Sequence, residues 1–105
     1  MYRVFFTLTA QEMFLKIKNA NTRAAILNKA KSLSVDLEAQ GIALVGPLRG
    51  LRRIPAAGRY RIVYRVVREK VEVLILAVGL RKQDDKKDIY ELAQKLVRMG
   101  LLDKG

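Results

Sequence analysis

Two neighbouring segments in the second half of this 105-residue chain leave it few possible folds. Tyr60 to Val67 sets Tyr60, Ile62, Tyr64 and Val66 against Arg61, Val63, Arg65 and Val67, the period of two that a strand imposes. Val71 to Val78 is almost wholly apolar, as expected of a central strand covered on both faces. Only a short turn around Glu69-Lys70 separates them, so they are predicted to pair as a hairpin.

The remaining elements arrange themselves around that hairpin. Tyr2-Arg3-Val4-Phe5-Phe6 is aromatic and β-branched, and reads as a first strand. Thr9-Ala10-Gln11-Glu12 has the form of a capping box, which predicts a helix to about Lys18. The run Asn19-Ala20-Asn21-Thr22 breaks it, and Asn21 or Thr22 caps a second helix reaching about Gln40. Ile26, Ala30, Leu33 and Leu37 form its apolar stripe, and Gly41 suits the position just past its end. Gly46-Pro47 marks a loop, a strand is expected from Leu48 to Ile54, and Ala56-Ala57-Gly58 turns the chain. After Gly79, Asp84, Asp85 and Asp88 favour a helix start. Ile89, Leu92, Ala93, Leu96 and Val97 make that helix amphipathic, and Gly100 stops it. The order β-α-α-β-β-β-α predicts an α+β chain of one small domain, with an N-terminal helical hairpin on a largely antiparallel twisted sheet and a C-terminal helix. A chain this short buries about two-thirds of its unfolded surface and is expected to hold one core. Tyr60 and Tyr64 are expected to pack in it.

Missing residue types exclude whole classes of chemistry. There is no cysteine, hence no disulfide, thiolate nucleophile or zinc–cysteine site. There is no histidine, hence no Ser-His-Asp or Cys-His mechanism and no histidine-ligated metal. No metal and no cofactor are expected. The longest apolar run has about eight residues against the roughly 20 a membrane span needs, and no signal peptide is recognisable, so the expected location is the bacterial cytoplasm.

Charge is the strongest functional signal. Lys+Arg number 21 against 10 Asp+Glu, a formal net charge of +11, which favours a polyanionic partner. Residues 49–68 hold Arg49, Arg52, Arg53, Arg59, Arg61, Arg65 and Arg68 without one acid, and Arg81 and Lys82 follow the next strand. Because paired strands lie about 5 Å apart, these side chains are expected to converge on one surface. Arginine's planar fork suits bidentate contact with phosphate. The competing reading is a solvated sheet face whose arginine stems cover apolar atoms.

Three motifs, Leu48-Arg49-Gly50-Leu51-Arg52-Arg53-Ile54, Gly58-Arg59-Tyr60-Arg61-Ile62-Val63-Tyr64-Arg65-Val66 and Val78-Gly79-Leu80-Arg81-Lys82, resemble the RelE/ParE superfamily of toxins. The closing Asp88-Ile89-Tyr90-Glu91-Leu92-Ala93 resembles that family's tyrosine-bearing last helix. The resemblance implies a toxin of a bacterial toxin–antitoxin pair, neutralised by a cognate acidic antitoxin. Operator DNA would be met only through that antitoxin. It further implies either ribosome-dependent cleavage of messenger RNA or ParE-like inhibition of DNA gyrase; a third possibility is a member retaining only antitoxin binding.

For the nuclease reading, the resemblance carries over Arg61 and Arg81 as groups that stabilise the scissile phosphate. It carries over Tyr90 as a residue that stacks on a base or transfers a proton. Arg53 joins them as a catalytic candidate, because Arg52 and Arg53 occupy the strand where RelE-like enzymes carry two lysines. Arginine is a poor general base, its pKa exceeding about 12, and Lys82 is the substitute by proximity. Arg49, Arg52, Arg59, Arg65 and Lys82 complete the expected RNA-binding surface. Glu69 and Glu72 read as turn and surface residues.

Overall fold

The computed structural model describes residues 1–35, 41–83 and 85–100. The chain folds as α+β. Strand β1 (Arg3–Phe6) leads into helices α1 (Leu8–Leu15) and α2 (Ala20–Ser32). Strands β2 (Ile42–Ala43), β3 (Arg52–Ala56), β4 (Tyr60–Val67) and β5 (Glu72–Leu80) follow, and helix α3 (Ile89–Arg98) closes the order. The sheet runs β1-β5-β4-β3-β2, with every neighbouring pair antiparallel except β1 and β5. The expected architecture therefore holds, with one short edge strand, β2, added. No helix among the described residues is long and apolar enough to cross a membrane.

Two apolar clusters, rather than the single core expected, lie on opposite faces of the sheet. On one face Ala10 of α1 and Ile26, Ala30 and Leu33 of α2 cover Ile54, Ile62, Tyr64 and Ile75. On the other, Ile89 and Ala93 of α3 cover Val63, Leu76 and Ala77. Ile62 and Val63 are adjacent in sequence and fully buried on opposite sides, which is why the centre of β4 is apolar without a break. Between Val63↔Ala77 and Tyr64↔Ile75 the register slips by one, so Leu76 has no partner across the ladder. This bulge lets the consecutive Leu76 and Ala77 both serve the α3 face, while β4 keeps its strict alternation.

Several element ends differ from those expected. Thr7, not Thr9, caps α1, its hydroxyl accepting the Ala10 amide at 3.2 Å. Asn19, not Asn21 or Thr22, caps α2, accepting the Thr22 amide at 3.0 Å. Helix α1 ends at Leu15 and α2 at Ser32, earlier than expected; Leu37 and the span 36–40 lie outside the described residues, as does Asp84. The segment expected as a strand from Leu48 begins instead with a 3-10 turn, Gly46–Leu48, and β3 runs on through Pro55. Among the described residues, strand β2 pairs with β3 only at Arg52 and Arg53.

A candidate polyanion site beside helix α3

The site is built where β4 and β5 end and α3 begins. Asp88, just before α3, is 1% exposed. Its carboxylate accepts the Tyr90 amide at 3.1 Å, which caps the helix, and also the Lys82 amide and the Arg81 guanidinium, the latter at 2.6 Å. Burial alone would raise its pKa; the Arg81 hydrogen bond, the two amides and the Arg81 charge outweigh this and hold it below the ordinary 3.8. The Arg81 guanidinium also lies over the Tyr90 ring, 4.8 Å from its centre, so it sits between a carboxylate and an aromatic face. The Tyr90 hydroxyl is buried and makes no hydrogen bond among the described residues.

Strand β4 supplies the second part. Arg61 lies opposite Pro55 on β3 and Gly79 on β5, and its guanidinium folds over the hairpin turn to donate to the carbonyls of Tyr60 at 2.9 Å and Gly58 at 3.1 Å. Gly79 carries Ile89 directly above it: a Cβ there would stand 3.0 Å from Ile89 Cδ1. The first turn of α3 is thereby seated next to Arg61. Arg59 joins Arg81 through two contacts, accepting the Arg81 amide at 2.8 Å and donating from its side chain to the Arg81 carbonyl at 3.2 Å.

The structure divides the arginines expected to share one surface. Arg53 lies opposite Val63, and Arg61 and Arg65 alternate with Ile62 and Tyr64, so all three belong to the α3 face. Arg52 lies opposite Tyr64 on the other face, where its guanidinium reaches the Gly41 carbonyl at 3.3 Å. Period-two alternation makes this separation of Arg52 from Arg53 unavoidable. Arg49 is exposed on the loop after the 3-10 turn, and Lys82 is half-buried beside Asp88. Among the described residues no group of three acids could hold a metal ion. The sequence reading gave Asp88 only a helix-dipole role; its central position is legible in hindsight only as an aspartate directly before an amphipathic helix.

A family model described as "ParE toxin of type II toxin-antitoxin system, parDE" matches residues 4–85. The chain belongs to this toxin family. Among solved structures, the RelBE2 toxin–antitoxin complex from Mycobacterium tuberculosis matches with 33% identity and a TM-score of 0.70 over 76% of this chain and 98% of that one. An Escherichia coli RelE variant bound to a RelB peptide matches with 25% identity and a TM-score of 0.65, over 88% and 93% of the two chains. The YoeB/ParE toxin from Agrobacterium tumefaciens, at 16% identity and TM-score 0.65 over 76% and 99%, shares the fold. A search of curated protein sequences finds no significant match.

Proposed function

We propose that this toxin is a ribosome-dependent mRNA endonuclease, silenced by a cognate acidic antitoxin. The observation that carries the reading is the Asp88–Arg81–Tyr90 stack, on the same face of the sheet as Arg61. In such a reaction the substrate's 2′-oxygen attacks the neighbouring phosphorus and the bond from phosphorus to the 5′-oxygen breaks. The 2′-proton leaves to a base and a proton is delivered to the 5′-oxygen. Arg61 and Arg81 meet the charge that builds on the phosphate oxygens, and Asp88 positions Arg81. Tyr90 places a phenol at the same point, either as a proton carrier or as a platform for a base. Arg53, Arg59, Arg65 and Lys82 extend the cationic surface along the strand, with Arg49 at its margin. Arg52 acts from the other face, as a tie between β3 and the chain before β2. The solved RelBE complexes support an antitoxin as partner.

A second reading, inhibition of DNA gyrase without chemistry, is favoured by the ParE family match and by arginines standing at the lysine positions of RelE-like enzymes. Brief expression followed by mapping of new mRNA 5′ ends, beside a measurement of plasmid supercoiling, separates the two. Translation-dependent cuts are expected, and Arg61→Ala should reduce them by about 10²–10³. Arg81→Ala strands the Asp88 carboxylate, so its loss of activity is interpretable only in an Asp88→Asn background. Tyr90→Phe abolishes cutting if the hydroxyl carries a proton and spares it if the ring alone matters. Intact messages with altered supercoiling would replace this reading with the second.

A further inference from the structure

Strand β1 covers β5 only from Glu72 to Ile75, and among the described residues no other strand lies along the far half of that edge. Helix α1, the start of β4 and the segment before α3 close around the gap and leave a cleft of about 330 Å³. Met13 and Tyr60 are among its lining residues, and Lys16, Lys18, Lys82 and Lys87 stand around it. No acid is among the described residues that line it, although Asp85, whose carboxylate accepts the Lys87 amide at 2.7 Å, lies close by. Four cations around an apolar and aromatic lining fit a ligand with a flat, weakly polar body and anionic flanks. The volume is at the small end of ligand sites, enough for one such unit. Lys82 adjoins Arg81, so the cleft continues from the stack at Asp88.

We propose that this cleft seats one nucleotide, its base against Met13 and Tyr60 and its phosphates on the lysines. Base stacking on an aromatic ring and lysine contacts to the backbone are sequence-tolerant sources of affinity, so the cleft would hold a strand without dictating its sequence. The inference rests on the nuclease reading only in taking the nucleotide from RNA. The test uses a short single-stranded RNA with 2′-O-methyl sugars, which lacks the nucleophile, and adenosine 5′-monophosphate as the free nucleotide. Binding is followed by anisotropy and by the NMR signal of the Met13 methyl. The RNA should shift that methyl, and the combined Lys16→Ala, Lys18→Ala and Lys87→Ala variant should bind about tenfold more weakly with a shallower salt dependence. A matching shift with the mononucleotide identifies free nucleotide as sufficient; a shift with RNA alone identifies the strand. An unmoved Met13 methyl, or unchanged affinity in a folded triple variant, overturns the assignment, as does equal displacement by a polyglutamate peptide. Messenger cleavage by that variant, compared with Arg61→Ala, shows separately whether the nuclease reading stands.

Discussion

At the scale of single residues, two positions carry consequences their neighbours do not share. Asp88 is buried, and its carboxylate is held ionised by Arg81 and two amides. Its folded pKa lies below the ordinary 3.8, so its contribution is complete above that value and is lost as pH falls through the lower folded one. Asp88→Asn should therefore lower stability at neutral pH and flatten the acid limb below about pH 4, read by urea unfolding at stepped pH. Arg81 remains a third exposed, which limits the ion pair's share of the loss. Gly41 is the second position. It has φ +72°, and a Cβ would stand 2.2 Å from the Tyr64 hydroxyl oxygen and 2.7 Å from the Arg53 carbonyl. Gly41→Ala should cost about 3 kcal/mol, combining left-handed strain with overpacking, whereas Gly58→Ala, with open space around it, should cost about 1. Denaturant midpoints of the two variants check the difference.

At the scale of elements, what the sequence made legible tracks how local the deciding force was. The bounds of β4 matched the reading because alternation is written residue by residue. The cap of α1 did not. Thr7 and Thr9 both precede the same apolar turn, and the more complete motif belonged to Thr9. The choice is tertiary: β1 ends at Phe6, and the Thr7 amide continues the ladder by donating to the Ile75 carbonyl at 3.0 Å. Thr7→Ala is expected to cost about 1 kcal/mol and Thr9→Ala close to nothing, a contrast that thermal unfolding of the two variants resolves. Helix α3 was legible in outline, its buried Ile89 and Ala93 lying on the expected stripe. Its anchor was not, because nothing local says that Arg81 turns back onto Asp88.

At the scale of the whole molecule, the charge of +11 was plain in composition, but its distribution was not. The alternation of β3 sends Arg52 and Arg53 to opposite faces, and the lysines of the cleft come from segments about 65 residues apart, which only the fold unites. A net charge of +11 should steer the antitoxin, proposed above to be acidic. Its association rate is expected to fall about tenfold or more from low to high salt, while dissociation changes little. Stopped-flow mixing at stepped ionic strength measures both; a flat association rate would mean that docking does not use the arginine face.

The parallel pairing of β1 with β5 also has a bearing on the order of events during synthesis. Arg3 and Glu72, joined by an ion pair at 3.2 Å, lie 69 positions apart. Strand β1 therefore has no sheet partner until β5, the last strand among the described residues, has followed it out of the ribosome. At about 5–20 residues per second that is a wait of several seconds. Asp88 and Tyr90 are made later still, so the stack at α3 is assembled only after all five strands have been synthesised. A product that stops before Asp88 therefore lacks the carboxylate that holds Arg81, and with it the proposed site.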